Sequence, residues 1–292
     1  MNKFETVHSR RLDIEQLQHL LDTQCFGLGK RLVYIPKIDS TNTQAMQLAH
    51  QGSEEGVVVL TESQTAGKGR QGRRWVDIYG LNALVSTILR PLFPPYLLVM
   101  IAALAAVDAI SDICGLTATI KWPNDILIAD RKVAGILIET SHDRFGHMIA
   151  VVGIGVNVNG QIEQAAEYGS GTLQADPALT AKAITLETAC GHTVSREAFI
   201  ARLLYYLETH HLALQQEMHD PVAAAYGTTS RLIREQWRRQ LSTLGRLVEV
   251  HQGTKLISGF ADDVNDTGEL LLRSHSGTQI NVTWGDIGYP TE

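Results

Sequence analysis

Cysteine is scarce in this chain, with three in 292 residues, at Cys25, Cys114 and Cys190. They are far apart, their number is odd, and no CxxC spacing is present. A disulfide framework and a cysteine-based zinc site are therefore not expected. We interpret all three as reduced packing residues of a protein in a reducing compartment, which predicts a cytoplasmic location.

Long hydrophobic runs are also lacking. The longest, from Tyr96 to Val107, is well short of the roughly 20 residues that span a bilayer. The chain does not open with a basic segment followed by an apolar one, as a secretory signal would. We expect a soluble, unexported protein with no membrane partner.

Excess positive charge is lacking as well, since the net charge is -6 and the pI is about 6.0. A general nucleic-acid binder needs positive potential over a broad face, so that class is disfavoured. Histidine does not suggest a metal site either, because His210, His211 and His219 fit no metal-ligand spacing. We expect these three side chains on a solvated helix face.

Positive charge is instead concentrated in one segment, ESQTAGKGRQGRRW, from Glu62 to Trp75. Glycines in such a loop let backbone N–H groups approach phosphate oxygens, and fixed cations attract them. The segment predicts a site for a phosphorylated ligand, although a solvated or nucleic-acid-contacting loop can have the same composition. Its cations and glycines are Lys68, Arg70, Arg73 and Arg74, and Gly67, Gly69 and Gly72.

Hydrophobic periodicity and chain breakers predict an α+β protein in which three consecutive strands form an antiparallel meander. Residues 39–42 are all typical helix N-caps, and taken alone they would indicate no more than a cap. The predicted helices are 13–21, one that opens at 39–42 and ends at 49, 96–110, 178–190 and 196–216. The predicted strands are 31–38, 57–60, 82–90, 126–128, 133–140 and 148–157.

From about Leu241 the pattern changes to short β-type runs separated by glycine-containing turns. The runs at 247–251, 255–261, 269–274 and 279–283 predict a small all-β barrel. The length and the ordinary globular composition suit one large domain followed by a small one.

Two further segments combine glycine with polar residues. In KWPNDILIADRKVAGILIE, residues 121–139, the Asp125 carboxylate, the Lys132 cation and the bare backbone of Gly135 would meet on one side of a hairpin. In GIGVNVN, residues 153–159, alternate glycines on one face of a strand would leave a slot for a flat or elongated ligand.

Taken in order, these segments resemble the biotin protein ligases. The resemblance is strong from Arg31 to Asn159 and weaker through the helical middle to the C-terminal β region. It implies a catalytic domain like that of class II aminoacyl-tRNA synthetases and biotin ligases, with a mixed β-sheet flanked by helices, and a C-terminal SH3-like β-barrel. The implied domains are a helical lead-in at 1–30, the catalytic domain at 31–238 and the barrel at 239–292. The motifs are Ser40-Thr41-Asn42, GKGRQGRRW from Gly67 to Trp75, KWPNDI with RKVAGILIE from Lys121 to Glu139, and GIGVNVN from Gly153 to Asn159.

The resemblance also implies a two-step reaction. Biotin and ATP with Mg²⁺ would give biotinyl-5′-AMP, and a specific lysine of a biotin carboxyl carrier domain would then attack the adenylate. No dedicated Mg²⁺ site is predicted, and a homodimer is left open. Family members that double as repressors have an N-terminal winged helix. A first core strand near Arg31 leaves too little chain for one, so no DNA binding is expected.

The motif positions imply the site residues. Fixed cations would offset the repulsion between the biotin carboxylate and the α-phosphate, and polar side chains would bind the buried ureido group. The residues implied as catalytic are Arg70, Lys132 and Asp125, the last at acyl transfer or at the metal. Those implied for biotin are Ser40, Thr41, Asn42, Gln64, Gly67, Lys68, Gly69, Arg70, Lys132, Gly153 and Gly155. Those implied for ATP or the adenylate are Arg70, Arg73, Trp75, Asn124 and Asn157.

Lys68 departs from the family pattern, because the family loop usually reads GRGR and this chain reads GKGR. We interpret position 68 as acting mainly through its backbone, where lysine is tolerated. Two other functions stay open. A lipoate or octanoate transferase of the same superfamily would lack this loop, and a nucleic-acid-binding module would interleave its cations with aromatic stacking platforms. Biotin-dependent exchange of pyrophosphate into ATP separates the three.

Overall fold

The computed structural model describes residues 11–162 and 182–290. Within these ranges most predicted elements are present close to their expected bounds. The α-helices are α1 (Ile14–Leu20), α2 (Thr41–His50), α3 (Tyr96–Cys114), α4 (Leu186–Cys190), α5 (Arg196–His219), α6 (Pro221–Tyr226) and α7 (Thr228–Gln240). The β-strands are β1 (Leu32–Tyr34), β2 (Lys37–Ile38), β3 (Val58–Thr61), β4 (Ser63–Gln64), β5 (Asn82–Leu89), β6 (Thr119–Lys121), β7 (Asp125–Ile128), β8 (Arg131–His142), β9 (Met148–Asn157), β10 (Leu247–Gln252), β11 (Lys255–Val264), β12 (Leu270–Arg273), β13 (Gln279–Val282) and β14 (Asp286–Gly288).

A seven-stranded mixed sheet organises the larger part of the chain, in the order β1-β3-β5-β9-β8-β7-β6. β1 and β3 are parallel and the other neighbours are antiparallel, so the predicted meander of β7, β8 and β9 is confirmed. The register sets Gly135 opposite Gly155, and Leu137 opposite Gly153. These three glycines therefore share one face of the sheet, which we call the glycine face.

Helix α3 packs on the other face and forms the main core together with α5. Its alanine- and leucine-rich sequence favours a helix. It runs beyond the predicted end to Cys114, where Gly115 takes the left-handed conformation (φ 64°) and donates its N–H to Ser111 O. By length and composition α3 could cross a membrane, but 67% of its most apolar window is buried inside the fold. It is the buried helix that the sequence predicts.

Helix α2 covers only part of the glycine face. Ala45 and Ala49 pack there against Val59 and Val151 in a second, smaller core cluster. Alanine is small enough to let the helix lie close to the sheet at these positions. The remaining part of the face, which carries the glycines, is left for the loop of residues 67–75, which we call the basic loop.

The predicted strand at 31–38 is in fact two strands. Pro36 separates them, because proline has no N–H to contribute to a ladder. After β1 the pairing with β3 ends. The chain continues as β2, which pairs with β4 in a separate two-stranded sheet. Ile38 lies opposite Gln64 in that pair. The N-terminus of α2 is thereby brought next to Gln64.

The predicted helix at 178–190 is shorter than expected. Residues 178–181 lie outside the described part of the chain, and 182–185 are not helical. Lys132 N–H donates to Lys182 O there, and Ile184 N–H donates to Lys132 O. Helix α4 begins only after its N-cap Thr185, whose hydroxyl accepts from Thr188 N–H. The structure also contains elements that the sequence did not predict: helices α6 and α7 and strands β4, β6 and β14.

The prediction of a solvated face is wrong for His211, which is fully buried on α5. Its ring centroid lies 5.7 Å from that of Phe26 and 5.5 Å from that of Phe93. Its Nε2 lies 2.6 Å from Glu55 Oε1. These partners come from distant parts of the chain, so helical periodicity gave no sign of them.

The C-terminal part is a five-stranded antiparallel sheet in the order β13-β12-β11-β10-β14. β13 and β14 form its two edges, and in the described residues they do not pair with each other, so the structure shows an antiparallel sheet without barrel closure. This sheet contacts the larger part of the chain at Gly268. Its O accepts from Trp122 Nε1 at 2.9 Å, and a Cβ at this glycine would lie 2.7 Å from Met100 Cε.

Candidate active site

A β-bulge directs Lys132 to the glycine face. The register of β7 and β8 shifts at this point and leaves Val133 as an extra residue. Val133 and Ala134 are both fully buried in the main core, which interrupts the strict alternation of the strand. Lys132 therefore lies on the same side as Gly135, with Nζ 3.2 Å from the position that a Cβ of Gly135 would occupy.

Lys132 forms an ion pair with Asp125 on the neighbouring strand. Its Nζ lies 2.6 Å from Asp125 Oδ1, and the two side chains are 35% and 24% exposed. The same Nζ lies 5.7 Å from the ring centroid of Trp75. The predicted meeting of a cation, a carboxylate and the bare backbone of Gly135 is confirmed.

Arg70 reaches the same hairpin from the basic loop. Its NH1 donates to Asn124 Oδ1 at 2.8 Å, and Asn124 Nδ2 donates to Ile136 O at 2.7 Å. Burial lowers the pKa of the Arg70 guanidinium, and the carboxylates of Asp286 and Asp125 oppose that effect. A partly desolvated cation of this kind is stabilised by a bound anion.

Lys121 is a further cation beside the pair of Lys132 and Asp125. It lies opposite Asp125 in the register of β6 and β7. Burial lowers the pKa of Lys121, the Asp125 charge raises it, and the charge of Lys132 lowers it again. We call Arg70, Lys121 and Lys132 the cation cluster. They come from a loop and two strands, and the charge of Asp125 acts on all three.

The basic loop closes on itself above the sheet. Gly69 N–H donates to Arg73 O at 2.7 Å, and Trp75 N–H donates to Gly67 O at 3.0 Å. A Cβ at Gly67 would lie 2.6 Å from Trp75 O, so only glycine allows the two arms of the loop to approach this closely. The tip contains Gln71 in the left-handed region, with φ 56°.

Trp75 packs directly on the bare backbone of the sheet. A Cβ at Gly155 would lie 2.7 Å from its Cε2, and one at Gly135 would lie 3.0 Å from its Cζ3. Its Nε1 is buried and has no hydrogen-bond partner among the described residues. Trp75 therefore forms a wall of the site and carries a donor that a ligand oxygen could accept from.

Arg73 and Arg74 make contacts outside the cation cluster. Arg73 NH2 contacts Asp286 Oδ1 on β14, and Arg74 NH2 donates to Thr65 O. Arg73, which the resemblance assigns to ATP, thus forms an ion pair with the C-terminal sheet and does not join Lys132. Of the four loop cations, Arg70 is the one in the cation cluster.

A buried hydrogen-bond network lies on the glycine face at the N-terminus of α2. Thr41 donates to Gln64 Oε1 from its N–H at 2.8 Å and from its hydroxyl at 3.2 Å, and Ser86 Oγ lies 2.7 Å from Thr41 Oγ1. Ser40 is also buried and is the N-cap of α2, but its side chain makes no capping hydrogen bond. Helix capping therefore does not explain these side chains.

Asn42 extends this network to Glu139. Its Oδ1 lies 2.6 Å from Ser86 Oγ, and its Nδ2 donates to Glu139 Oε2 at 2.9 Å. A Cβ at Gly153 would lie 2.0 Å from Asn42 Oδ1, so the glycine makes room for this amide. Lys68 Nζ lies 3.1 Å from Glu139 Oε1. We call Thr41, Asn42, Gln64 and Ser86 the anchor network.

Asn157 ends β9 on the same face, beside the cation cluster. Its Oδ1 accepts from Asn82 Nδ2 at 3.1 Å, and its Nδ2 donates to Ile184 O at 3.3 Å. Ile184 also donates to the backbone of Lys132. Asn157 therefore helps to fix the segment that supports Lys132.

Two cavities adjoin these residues. One, of about 550 Å³, is lined by residues 66–74 with Leu137 and Glu139. The other, of about 430 Å³, lies between α2 and the basic loop. Lys68 and Glu139 line both. These two side chains therefore border both cavities.

Sequence reasoning missed three residues of this site. Ser86 is a polar residue in the buried strand NALVSTIL, and Glu139 follows the apolar run VAGILI. A polar side chain within an otherwise apolar strand was the available signal. Lys121 is the first residue of the motif KWPNDI, but no role was predicted for it, and strand β6, which it ends, was not predicted.

Known proteins place the chain in a class. Residues 34–159 match the biotin/lipoate A/B protein ligase family. The fold is similar to that of a biotin protein ligase from Aquifex aeolicus solved in complex with biotin and ATP, with a TM-score of 0.70 and 22% identity over 89% of this chain and 98% of that chain. The likeness to this structure shows the fold, and the match over residues 34–159 indicates the class of the biotin and lipoate ligases.

Two relatives narrow this class. The chain is 35% identical over 251 residues to the biotin--[acetyl-CoA-carboxylase] ligase of Paracoccus denitrificans. That alignment covers 84% of this chain and 95% of the relative. It is 31% identical over 254 residues to the bifunctional ligase/repressor BirA of Bacillus subtilis. That alignment covers 86% of this chain and 71% of the relative. The chain belongs to the biotin protein ligase family.

Proposed function

We propose that this chain activates biotin with ATP to biotinyl-5′-AMP and then transfers biotin to a lysine of a biotin carboxyl carrier domain. Its membership of the biotin protein ligase family supports this activity. The observation that carries the residue roles is the arrangement on the glycine face. The anchor network lies at one end of that face and the cation cluster at the other.

The glycine face suits an elongated ligand with a polar head and an anionic tail. Asn42 lies over Gly153, and Trp75 lies over Gly155. The two glycines are two residues apart on β9, which is roughly 7 Å in an extended strand. Biotin has a ureido head that needs hydrogen-bond partners when buried, an apolar chain and a carboxylate. The anchor network would bind the head, and the cation cluster would receive the carboxylate.

The first step would take place at the cation cluster. A biotin carboxylate oxygen would attack the α-phosphorus of ATP to form a mixed anhydride, and the bond from that phosphorus to pyrophosphate would break. Two anions must approach each other, so Lys132 and Arg70 would offset the charge that builds up. Both are held in advance, Lys132 by Asp125 and Arg70 by Asn124.

The second step would use the adenylate as the acyl donor. The amine of the carrier lysine would attack the carboxyl carbon, an amide bond would form, and AMP would leave with the electron pair of the broken C–O bond. The attacking amine must lose a proton, and Asp125 is the carboxylate at the cation cluster that could accept it.

The residues fit a Mg²⁺ ion that arrives on the ATP phosphates. Among residues 11–162 and 182–290 there is no group of three or more His, Cys, Asp or Glu side chains that could hold a metal ion. Mg²⁺ at nucleotide sites is typically held by one or two carboxylates together with phosphates and water. Asp125 is the carboxylate proposed for this role, and the bound ion would neutralise phosphate charge.

The organisation of the protein is also part of the proposal. The division into a catalytic domain at 31–238 and an SH3-like domain at 239–292 is supported by the two separate larger sheets, while residues 1–10 of the lead-in at 1–30 lie outside the described part of the chain. The three free cysteines support a cytoplasmic location. A homodimer stays a prediction.

Exchange of labelled pyrophosphate into ATP tests the proposed function. Exchange should require biotin and should not occur with lipoate or octanoate at the same concentration. A purified biotin carboxyl carrier domain should then gain biotin on one lysine, and a carrier whose target lysine is replaced by arginine should gain none. Exchange with lipoate or octanoate but not with biotin would overturn the proposal.

A further inference from the structure

The carboxylate of Glu139 is shared between two parts of the site that are far apart in sequence. Its Oε2 accepts from Asn42 Nδ2 at 2.9 Å, and its Oε1 accepts from Lys68 Nζ at 3.1 Å. Asn42 belongs to the anchor network, and Lys68 belongs to the basic loop. One residue of β8 therefore contacts both the region proposed for the biotin head and the loop beside it.

Glu139 is the nearer of two acceptors that fix which way round the Asn42 amide lies, since Asn42 Nδ2 also donates to Leu137 O at 3.4 Å. A carboxylate only accepts hydrogen bonds, so the amide NH₂ must face it, and Oδ1 is left on the side of Ser86 and Gly153. In the reverse orientation two oxygens would face each other without a proton between them. Oδ1 has two lone pairs, so it can accept from a ligand N–H as well as from Ser86.

Lys68 gives Glu139 a second contact, which we call the clasp. The clasp joins the basic loop to β8 at the place where the two cavities of about 550 and 430 Å³ meet. The side chains are 43% and 33% exposed, and an ion pair with such access to water is weak enough to open and close.

We propose that Glu139 is a positioning residue that couples recognition of the biotin head to closure of the basic loop, through Asn42 and Lys68. The inference rests on the proposed function. Lysine suits position 68 in this arrangement, because a single ammonium can pair with one carboxylate oxygen while the other stays on Asn42. The guanidinium usual in the family could pair with both oxygens and compete with the amide.

Two single variants separate the two contacts. Lys68→Met removes the clasp and leaves the contact between Glu139 and Asn42, so biotinyl-5′-AMP should dissociate about two- to fivefold faster, as expected for an exposed ion pair, while the KM for biotin should rise much less than in Glu139→Gln. Glu139→Gln removes the charge that holds the clasp. It also puts an NH₂ group where the carboxylate oxygen accepted from Asn42. It should release the adenylate faster and raise the KM for biotin by on the order of tenfold to a hundredfold, as expected for loss of a charged hydrogen bond.

The exchanged pair, Lys68→Glu with Glu139→Lys, is the rescue test. It restores the attraction between loop and strand, but an ammonium at position 139 would turn the Asn42 amide round. Adenylate release should return toward the wild-type rate while the KM for biotin stays raised. Thermal unfolding measurements show which variants are folded. If the exchanged pair is not folded, the two single variants decide whether Glu139 couples Asn42 to the basic loop.

Specific outcomes would overturn this inference. One is a Glu139→Gln variant with wild-type adenylate release and wild-type KM for biotin. Another is a Lys68→Met variant whose KM for biotin rises as much as that of Glu139→Gln, because the two contacts would then have no separate roles. A wild-type protein without biotin-dependent exchange would instead refute the proposed function.

Discussion

Replacing Gly153 by alanine would test the anchor network directly. On the present backbone the new Cβ would lie 2.0 Å from Asn42 Oδ1 and 2.8 Å from Asn42 Cγ, whereas ordinary contact begins at 3.4 Å. The difference between 3.4 and 2.0 Å means that the amide must retreat by about 1.4 Å. The sheet cannot yield instead, because the residue lies in a central strand paired on both sides.

That retreat would break the contacts that orient Asn42. Its distances to Ser86 Oγ and Glu139 Oε2 are now 2.6 and 2.9 Å. A hydrogen bond to a charged group contributes about 1.5–3 kcal/mol, so losing the orientation should raise the KM for biotin by about tenfold to a hundredfold. Crowding of this kind typically also lowers the free energy of unfolding by about 1–3 kcal/mol.

The assay is pyrophosphate exchange at varied biotin, with thermal unfolding measured in parallel. Gly288→Ala is the matched control, because it makes the same change in strand β14, where the nearest atom would be His251 Nε2 at 3.4 Å. The control should keep the wild-type KM. If folded Gly153→Ala also keeps it, Asn42 does not bind biotin, and the reasoning about the anchor network is wrong.

The remaining predictions concern charge and partners. Arg70→Gly should still form the adenylate but release it, which would appear as biotin on nonspecific lysines; tight retention would contradict this. Lys132→Ala should lose far more exchange activity than Lys68→Ala, and the reverse order would mean that the loop is misassigned. Burial alone would raise the pKa of Glu55, but the contacts of its carboxylate with His211 and with Arg90 together outweigh burial and lower it. The resulting stability is present above the unfolded pKa and lost as the pH falls through the folded one, so Glu55→Gln should flatten the acid limb of unfolding below about pH 4.5. A mobility-shift assay with operator DNA should show no specific retention, and a specific complex would refute that expectation.

Much of the fold could be predicted because its signals are local. Apolar strands and short polar turns indicate the meander at 126–157. Composition indicates the buried helix that begins at Tyr96. The prediction of one continuous strand at 31–38 was wrong because Pro36 redirects the chain to a second sheet. The partner of β2 in that sheet is decided by tertiary pairing. The barrel was predicted from four strand-like runs, but closure depends on edge pairing, which no run specifies by itself.

The site was predictable where function depends on residue type. Gly135, Gly153 and Gly155 were chosen as places for close approach, and their neighbours Trp75 and Asn42 now show what approaches. The orientation of Lys132 was not predictable in the same way. Strict alternation would direct it to the core with Ala134, and a bulge that depends on the pairing of β7 and β8 reverses this.

The sequence by itself determined the class of protein, the order of most elements and the residue types of an anion-binding loop beside glycines. Only the tertiary structure decided which side chains form pairs. Glu139 lies 71 residues from Lys68 and 97 from Asn42, and His211 meets the carboxylate of Glu55 from a much earlier part of the chain. Hydrophobic pattern and local propensity act over a few residues, whereas hydrogen bonds and ion pairs form wherever packing brings their partners together.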